Sequence, residues 1–499
     1  MEYNKILARS FSHTEQKKIG YCAIGVCLVI AVLTSFAVIS KPSYLTTSHP
    51  ILNYNAGLRM LSIDEDTSSN SLQRQSTDVV TVTDADEMKG EAEGAHNVDN
   101  RMIQEIKLTP VCDVLDPRFD ICEIDGHIRI HGKSSSVLYN TLLSAEGILS
   151  SGNESWRIKP YARKSDNSAM KVVNAFLVKP LLKNDLSQPN CTTYHNVPAV
   201  IFSVGGYAGN YFHAYTDVLV PLFLTSHHFN QQVQFLVTDF SPYWISKYKP
   251  ILSHLSKYPI VDIDKENDVH CYPKVIVGLK FHKDLTIDPL KSPKHHYSMT
   301  NFTQFLRESY SLNRSSPIKM RGNIRSKKLP RLLIVSRKRT RKFTNEGAIA
   351  KMASSLGYEV IVEEPGVTKD ATRFAQMVNS CDVMMGVHGA GLTNLVLLHP
   401  NAVFIQIIPW GGLEWVCRVS FEEPAKDMKL KYLDYKITEN ESSLIQQYPL
   451  DHAVFKDPVS IKKQGWHALR SVYLDNQDVN IDVERFTPTL LKALELLHM

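Results

Sequence analysis

From Arg331 to Pro409 the chain alternates short apolar runs with stretches of helical spacing, a pattern that few folds accommodate. Leu332 to Ser336 reads as a strand. Asn345 to Leu356 has apolar residues at helical intervals and meets Gly357, a residue suited to ending a helix. Tyr358 to Val362, Asp382 to Val387 and Ala402 to Ile408 repeat the strand pattern. Short helices over Thr372 to Ser380 and Leu392 to Leu398 separate them, the second stopping before Pro400. Strands joined by helical crossovers lie parallel, and such sheets are covered on both faces. The expected class is α/β. Ligands on these sheets bind beyond the carboxyl ends of the strands, so chemistry is expected in the loops after Ser336, Val362, Val387 and Ile408.

Two of those loops have ligand-binding composition. Ser336-Arg-Lys-Arg-Thr-Arg-Lys342 places five cations in six residues directly after a strand. A guanidinium can hold two phosphate oxygens at once, which makes Arg337 and Arg341 the expected clamps for a polyanion. A solvated basic loop is the plainer reading. Gly386-Val-His-Gly-Ala-Gly-Leu-Thr-Asn394 joins a strand to a helix. Glycines allow close backbone approach, and a helix N-terminus offers unpaired N–H groups, a combination suited to a diphosphate. The plainer reading is a tight turn.

In the first half, Val197 to Val204 is a buried-strand candidate leading into Gly205-Gly-Tyr-Ala-Gly-Asn-Tyr-Phe-His-Ala-Tyr-Thr-Asp217. If a helix starts near Tyr211, His213 and Asp217 share one face. A carboxylate that orients an imidazole suits a general base, although a paired structural histidine has the same signature. Cys122 to Gly132 alternates around a turn and reads as strand material. Asp262 and Asp264, and Asp84 and Asp86, are acidic pairs read as structural, not as metal sites.

Ile19 to Ile39 is a run of 21 residues without charge, long enough to span a bilayer as a helix. Lys5, Arg9, Lys17 and Lys18 precede it, which sets the N-terminus on the cytoplasmic side. The acidic, aromatic-poor stretch that follows lacks the apolar surface to fold. The expected organisation is a cytoplasmic tail over residues 1–18, an anchor over 19–39, a lumenal stem over 40–107 and domains over 108–325 and 326–499. A net charge of +5 on 499 residues gives no nucleic-acid footprint. Six cysteines lie outside the span. They allow fifteen pairings, of which Cys112 with Cys122, enclosing a short loop, is preferred. Glycosylation sequons stand at Asn153, Asn190, Asn301, Asn313 and Asn440.

Taken in order, several stretches resemble glycosyltransferase family 61 of plants: Cys122 to Gly132, Ile158-Lys-Pro-Tyr-Ala-Arg-Lys164, Gly205 to His213 with Asp217, Val335-Ser-Arg337 with Arg341, Gly386 to Asn394, and Pro409-Trp-Gly-Gly-Leu-Glu-Trp415. The likeness covers roughly residues 110–490 and is nearest the xylan-decorating branch. It implies a GT-B fold, two Rossmann-like domains facing a cleft, with a terminal helix of the kind that often crosses back to the first domain. It further implies inversion at the sugar carbon, a UDP-pentose donor, a xylan acceptor, Golgi residence, assembly with other glycosyltransferases, and neither a metal nor another required cofactor. On this basis His213 is the expected base, oriented by Asp217, with Asp217 itself or Glu364 as alternatives. Ser336, Arg337, Arg341, His388, Gly389, Ala390, Gly391, Thr393, Asn394 and Glu414 are the expected donor-binding set. An N-glycan xylosyltransferase and a non-catalytic scaffold of the same fold are the alternatives.

Overall fold

The computed structural model describes residues 111–140, 154–181, 189–292, 294–318, 328–365 and 370–498. The expected tail, anchor and stem, Asp84 and Asp86, and the sequon at Asn153 lie outside the described residues. Among the described residues no helix is long and apolar enough to cross a membrane.

The chain forms a mixed α/β structure around two sheets. The second sheet has five parallel strands in the order Glu359–Glu363, Arg331–Val335, Val383–Val387, Val403–Ile408, Lys431–Lys436. Connections run one way from Arg331–Val335 to its first neighbour and then the other way. The strand order therefore reverses between Arg331–Val335 and Val383–Val387, where α/β sheets open a crevice for ligands. The loops leaving those two strands are the basic loop and the glycine loop.

The first sheet has ten strands. Its parallel part is ordered Val261–Asp262, Gln234–Thr238, Ala199–Ser203, Val269–Val277, again with a reversal, here beside Ala199–Ser203. The segment that carries His213 and Asp217 follows that strand. Beyond Val269–Val277 the sheet continues through Ile121–His131, Ser136–Tyr139, Phe176–Pro180 and Trp156–Ile158.

The central strands Ala199–Ser203, Val383–Val387 and Val403–Ile408 are covered on both faces and buried throughout. Residues alternate between cores along each strand. Val200 and Phe202 join Leu333 and Val335 in one apolar cluster that the two sheets share. Ala199 and Ile201 face a core of the first sheet alone, and Leu332 and Ile334 one of the second sheet alone.

Two expectations need correction. Ile121–His131 is one continuous strand, not two runs about a turn. Between the pairs Ile128–Tyr272 and Asp125–Lys274, Gly126 and His127 face Pro273 alone. Proline has no N–H for the ladder, and Gly126, at φ 112°, absorbs the extra residue as a bulge. The terminal helix Val483–His498 does not cross back. Phe486, Leu490, Ala493 and Leu497 pack on the outer face of the second sheet, and Tyr358 Oη donates to Leu490 O at 2.8 Å.

Cys112 bonds Cys122 as preferred, and Cys191 bonds Cys271. Asn190, Asn301, Asn313 and Asn440 are exposed. Asp262 pairs with Lys265 at 2.7 Å, and Asp264 accepts from Thr238 Oγ1 and Asp239 N, so both acids serve local structure.

Candidate active site

Asn210 starts the helix that carries the candidate base, its Oδ1 accepting from Phe212 N at 2.9 Å. After one turn, Tyr211–His213, the backbone widens into a π-helical stretch over Ala214–Leu219. Pro221, just beyond, lacks the N–H that would bond the Asp217 carbonyl. Such wide turns recur at functional sites. Asp217 lies inside this one and is fully buried.

A single oxygen of Asp217, Oδ2, accepts from His213 Nδ1 at 3.0 Å, Arg163 Nε at 3.0 Å and Tyr161 Oη at 2.8 Å. Burial by itself would push the carboxyl up. The hydrogen bond from His213 and the charge of Arg163 outweigh it and hold Asp217 below its ordinary value. An ionised Asp217 fixes the proton of His213 on Nδ1, which leaves the Nε2 lone pair available as a base. Tyr161 Oη also receives Tyr207 N at 3.0 Å, tying the glycine segment to the same network. Arg163 reaches Asp284 at 3.8 Å, and Arg118 holds Asp284 at 2.5 Å. Tyr161 and Arg163 stand in the stretch 158–164 that bears the family resemblance, but local spacing gives them no role. They are 56 and 54 residues from Asp217. Glu364 is engaged by Lys338 at 2.9 Å.

On the second sheet, Arg337 and Arg341 converge on Gly389. A methyl group there would lie 2.9 Å from Nη1 of each, and Gly389 has φ 147°. Arg341 Nη1 donates to His388 O at 2.9 Å, and Arg337 Nε donates to Thr340 O at 2.8 Å. Among the described residues neither makes an ion pair, and Arg341 Nε is buried without a partner. Burial pushes Arg341 down to about 9, with Arg337 as a second cause, and burial lowers Arg337 also. Arg341 adopts φ 56°, in the left-handed region that side chains avoid. The loop is pinned there by Arg341 N to Gln477 O at 2.9 Å and Lys342 N to Asp478 Oδ1 at 2.9 Å. Two cations thus lie side by side without an ion pair among the described residues, Glu364 acting on Arg337 and Asp475 on Arg341 only from beyond ion-pair distance.

The other expected donor residues surround this pair. Gly389 leads into the helical segment Ala390–Leu397, which opens with Ala390 and Gly391 and in which Thr393 is buried with Oγ1 unpartnered. Gly391 leaves no room for a larger residue without crowding Val335. Ser336 N bonds Glu363 O at 2.9 Å, at the root of the basic loop. Glu414 is exposed and lies 3.6 Å from Lys436. His388 is buried.

The two clusters meet. Tyr211 Oη donates to Asn394 Oδ1 at 2.8 Å. Phe212 packs edge-on to Phe421, centroids 5.5 Å apart, and Phe421 does the same to His388 at 5.5 Å. The candidate base therefore sits one residue from a ring stack that ends at the glycine loop. The one cluster of metal-capable side chains among the described residues, His127 with Cys191 and Cys271, has its two sulfurs joined in a disulfide and offers no thiolate.

A sequence profile described as Glycosyltransferase 61 matches residues 211–405, a span that contains His213, Asp217, Arg337, Arg341 and the glycine loop. The chain is 48% identical over 389 residues to an alpha-1,3-arabinosyltransferase of Oryza sativa subsp. japonica, covering 78% of this chain and 65% of that relative. It thus spans a little under two thirds of that relative's length. It is 42% identical over 397 residues to a beta-1,2-xylosyltransferase of the same organism, covering 78% of this chain and 84% of the relative. It is 37% identical over 393 residues to a xylan glycosyltransferase of Arabidopsis thaliana, covering 77% and 78%. Identity at this level across 84% of the length of the second of these relatives shows the family, and the chain belongs to glycosyltransferase family 61.

Proposed function

We propose that the protein is an inverting glycosyltransferase that moves a pentose, arabinofuranose or xylose, from a UDP-sugar to the xylan backbone during plant cell-wall synthesis. The observation that carries this reading is the pair Arg337 and Arg341, brought together over Gly389 without an ion pair among the described residues, beside a buried Asp217 that orients His213. Guanidiniums and helix N–H groups aimed at one point stabilise a departing diphosphate without a metal or other cofactor. The relatives' names supply the sugar class and the acceptor.

In this mechanism His213 Nε2 takes the proton of a xylosyl hydroxyl as that oxygen bonds the anomeric carbon of the donor. The bond from that carbon to the diphosphate breaks in the same step, so configuration inverts. UDP leaves with its charge against Arg337, Arg341 and the N–H groups near Gly389 to Thr393. The two sheets, each with a strand-order reversal facing a candidate site, support a GT-B arrangement with the acceptor on the first and the donor on the second. The charge-free run at residues 19–39 and the cations before it support a type II anchor in the Golgi membrane with the body lumenal. Work beside other glycosyltransferases accords with that location.

The purified full chain incubated with xylohexaose should release UDP from UDP-arabinofuranose or UDP-xylose. Absence of release from every UDP-pentose, in a protein that remains folded, would remove the enzymatic reading.

A further inference from the structure

Strand Val403–Ile408 is buried at all six positions, and its one polar residue is Gln406. An amide inside such a strand must find partners, since an unmet hydrogen bond there is costly. Gln406 has two. Tyr432 Oη donates to Gln406 Oε1 at 2.8 Å, and Gln406 Nε2 lies 2.9 Å from His388 Nδ1. The amide's orientation follows from this chain. If it were turned over, Tyr432 Oη would face an N–H2 group and its proton would lose this acceptor. With the amide N–H2 facing Nδ1, that ring nitrogen accepts and carries no proton. A neutral His388 then bears its proton on Nε2, on the side of the ring away from the strand.

We infer that Tyr432 and Gln406 are positioning residues that fix His388 as its neutral Nε2–H tautomer, making it an uncharged donor to the donor-sugar diphosphate beside Arg337 and Arg341. This rests on the proposal that the site binds UDP. The surroundings keep the ring neutral: burial and then the charges of Arg341 and Arg337 push His388 down to about 3. A third cation there would add repulsion with no gain in direction, whereas a fixed N–H adds a directed bond. The charged and titratable groups around the ring are Arg337 and Arg341 on the basic loop and Tyr432 on the far strand. Asp434, Cys417 and Glu422 lie beyond Tyr432.

The test is UDP affinity by calorimetry on the purified full chain from about pH 6 to pH 8, the range in which a histidine paired with a carboxylate titrates. Each variant is expressed as a ratio to wild type, which cancels the ionisation of UDP itself. Gln406→Glu puts a carboxylate against Nδ1 and draws a proton there. At low pH the imidazolium still has Nε2–H and binding persists. As pH rises the ring loses a proton, the Nδ1–H form wins, and a lone pair faces the diphosphate. The expected result is a ratio that falls about tenfold or more across the range, the loss of a charge-assisted hydrogen bond. His388→Gln, which can offer a neutral N–H, should bind UDP better than His388→Phe at every pH. Tyr432→Phe, which frees the amide to turn, should show a smaller, pH-independent loss. A flat ratio for Gln406→Glu, or equal affinities for His388→Gln and His388→Phe, would overturn the inference while leaving UDP binding by the wild type intact. Failure of the wild type to bind UDP would instead remove the donor-site reading on which it rests.

Discussion

The Tyr211 hydroxyl donates to Asn394 Oδ1 at 2.8 Å, so the helical turn that presents His213 is bonded directly to the glycine-loop helix. The same asparagine is anchored locally, its Nδ2 donating to Gly391 O at 2.8 Å. This pair ties the two halves of the proposed chemistry together beside the ring contacts from Phe212 through Phe421 to His388. Tyr211→Phe keeps the ring and removes this bond. It should lower kcat/KM about three- to tenfold with a small change in Tm, as expected for one partly buried hydrogen bond of about 1 kcal/mol. Steady-state kinetics against UDP-pentose, beside a thermal melt, reads both quantities.

Asp217 carries a larger load. Asp217→Asn would leave Arg163 without its buried counter-charge and permit the wrong tautomer of His213. Activity should fall at least a hundredfold, and stability by about 3 kcal/mol or more. The pH dependence has a defined sign. The folded-state carboxyl is held below its ordinary value of 3.8, so its stabilisation is present above that pH and lost as pH falls below it. Wild type should therefore lose stability more steeply than Asp217→Asn on acidification below about pH 4, checked by denaturant unfolding at several pH values.

Arg337 and Arg341 make a contrasting prediction. Two partly buried cations, lowered by burial and with no ion pair among the described residues, disfavour the folded state until an anion arrives. Arg341→Gln should leave the Tm of the free protein unchanged or raised, while weakening UDP binding at least tenfold. UDP should raise the wild-type Tm and have little effect on the variant's. A melt with and without UDP checks this.

Gly389 is constrained twice, by φ 147° and by the two guanidiniums 2.9 Å from where a Cβ would stand. Gly389→Ala should displace the arginine pair and abolish UDP binding, with a folded far-ultraviolet spectrum retained. Gly412, also at positive φ but with open space around it, is the control site: Gly412→Ala strains the backbone without touching the pair.

What the sequence made legible was local. The alternation after Arg331 announced a parallel sheet, and composition marked the loops at 336–342 and 386–394, because both signals lie within a few residues. The spacing of His213 and Asp217 was readable for the same reason. Tyr161 and Arg163 were not, since they reach Asp217 only through the folding of a sheet that brings together residues more than fifty positions apart. Gln406 and Tyr432 were equally silent, although a single glutamine within Val403–Ile408 was a signal that could have been followed. The bulge opposite Pro273 looked like a turn because Asp125-Gly126 has turn composition, and only the register with a partner strand separates the two. The terminal helix showed an apolar face but not which sheet that face covers.

The most direct measurement is the mass of xylohexaose after incubation of the full chain with UDP-arabinofuranose or UDP-xylose, for wild type and for His213→Ala. The account predicts that wild type adds one pentose mass or more and that His213→Ala adds none above background while still binding UDP. Addition by His213→Ala near the wild-type rate would contradict the assignment of the base, and no addition by wild type from either donor would contradict the proposed transfer itself.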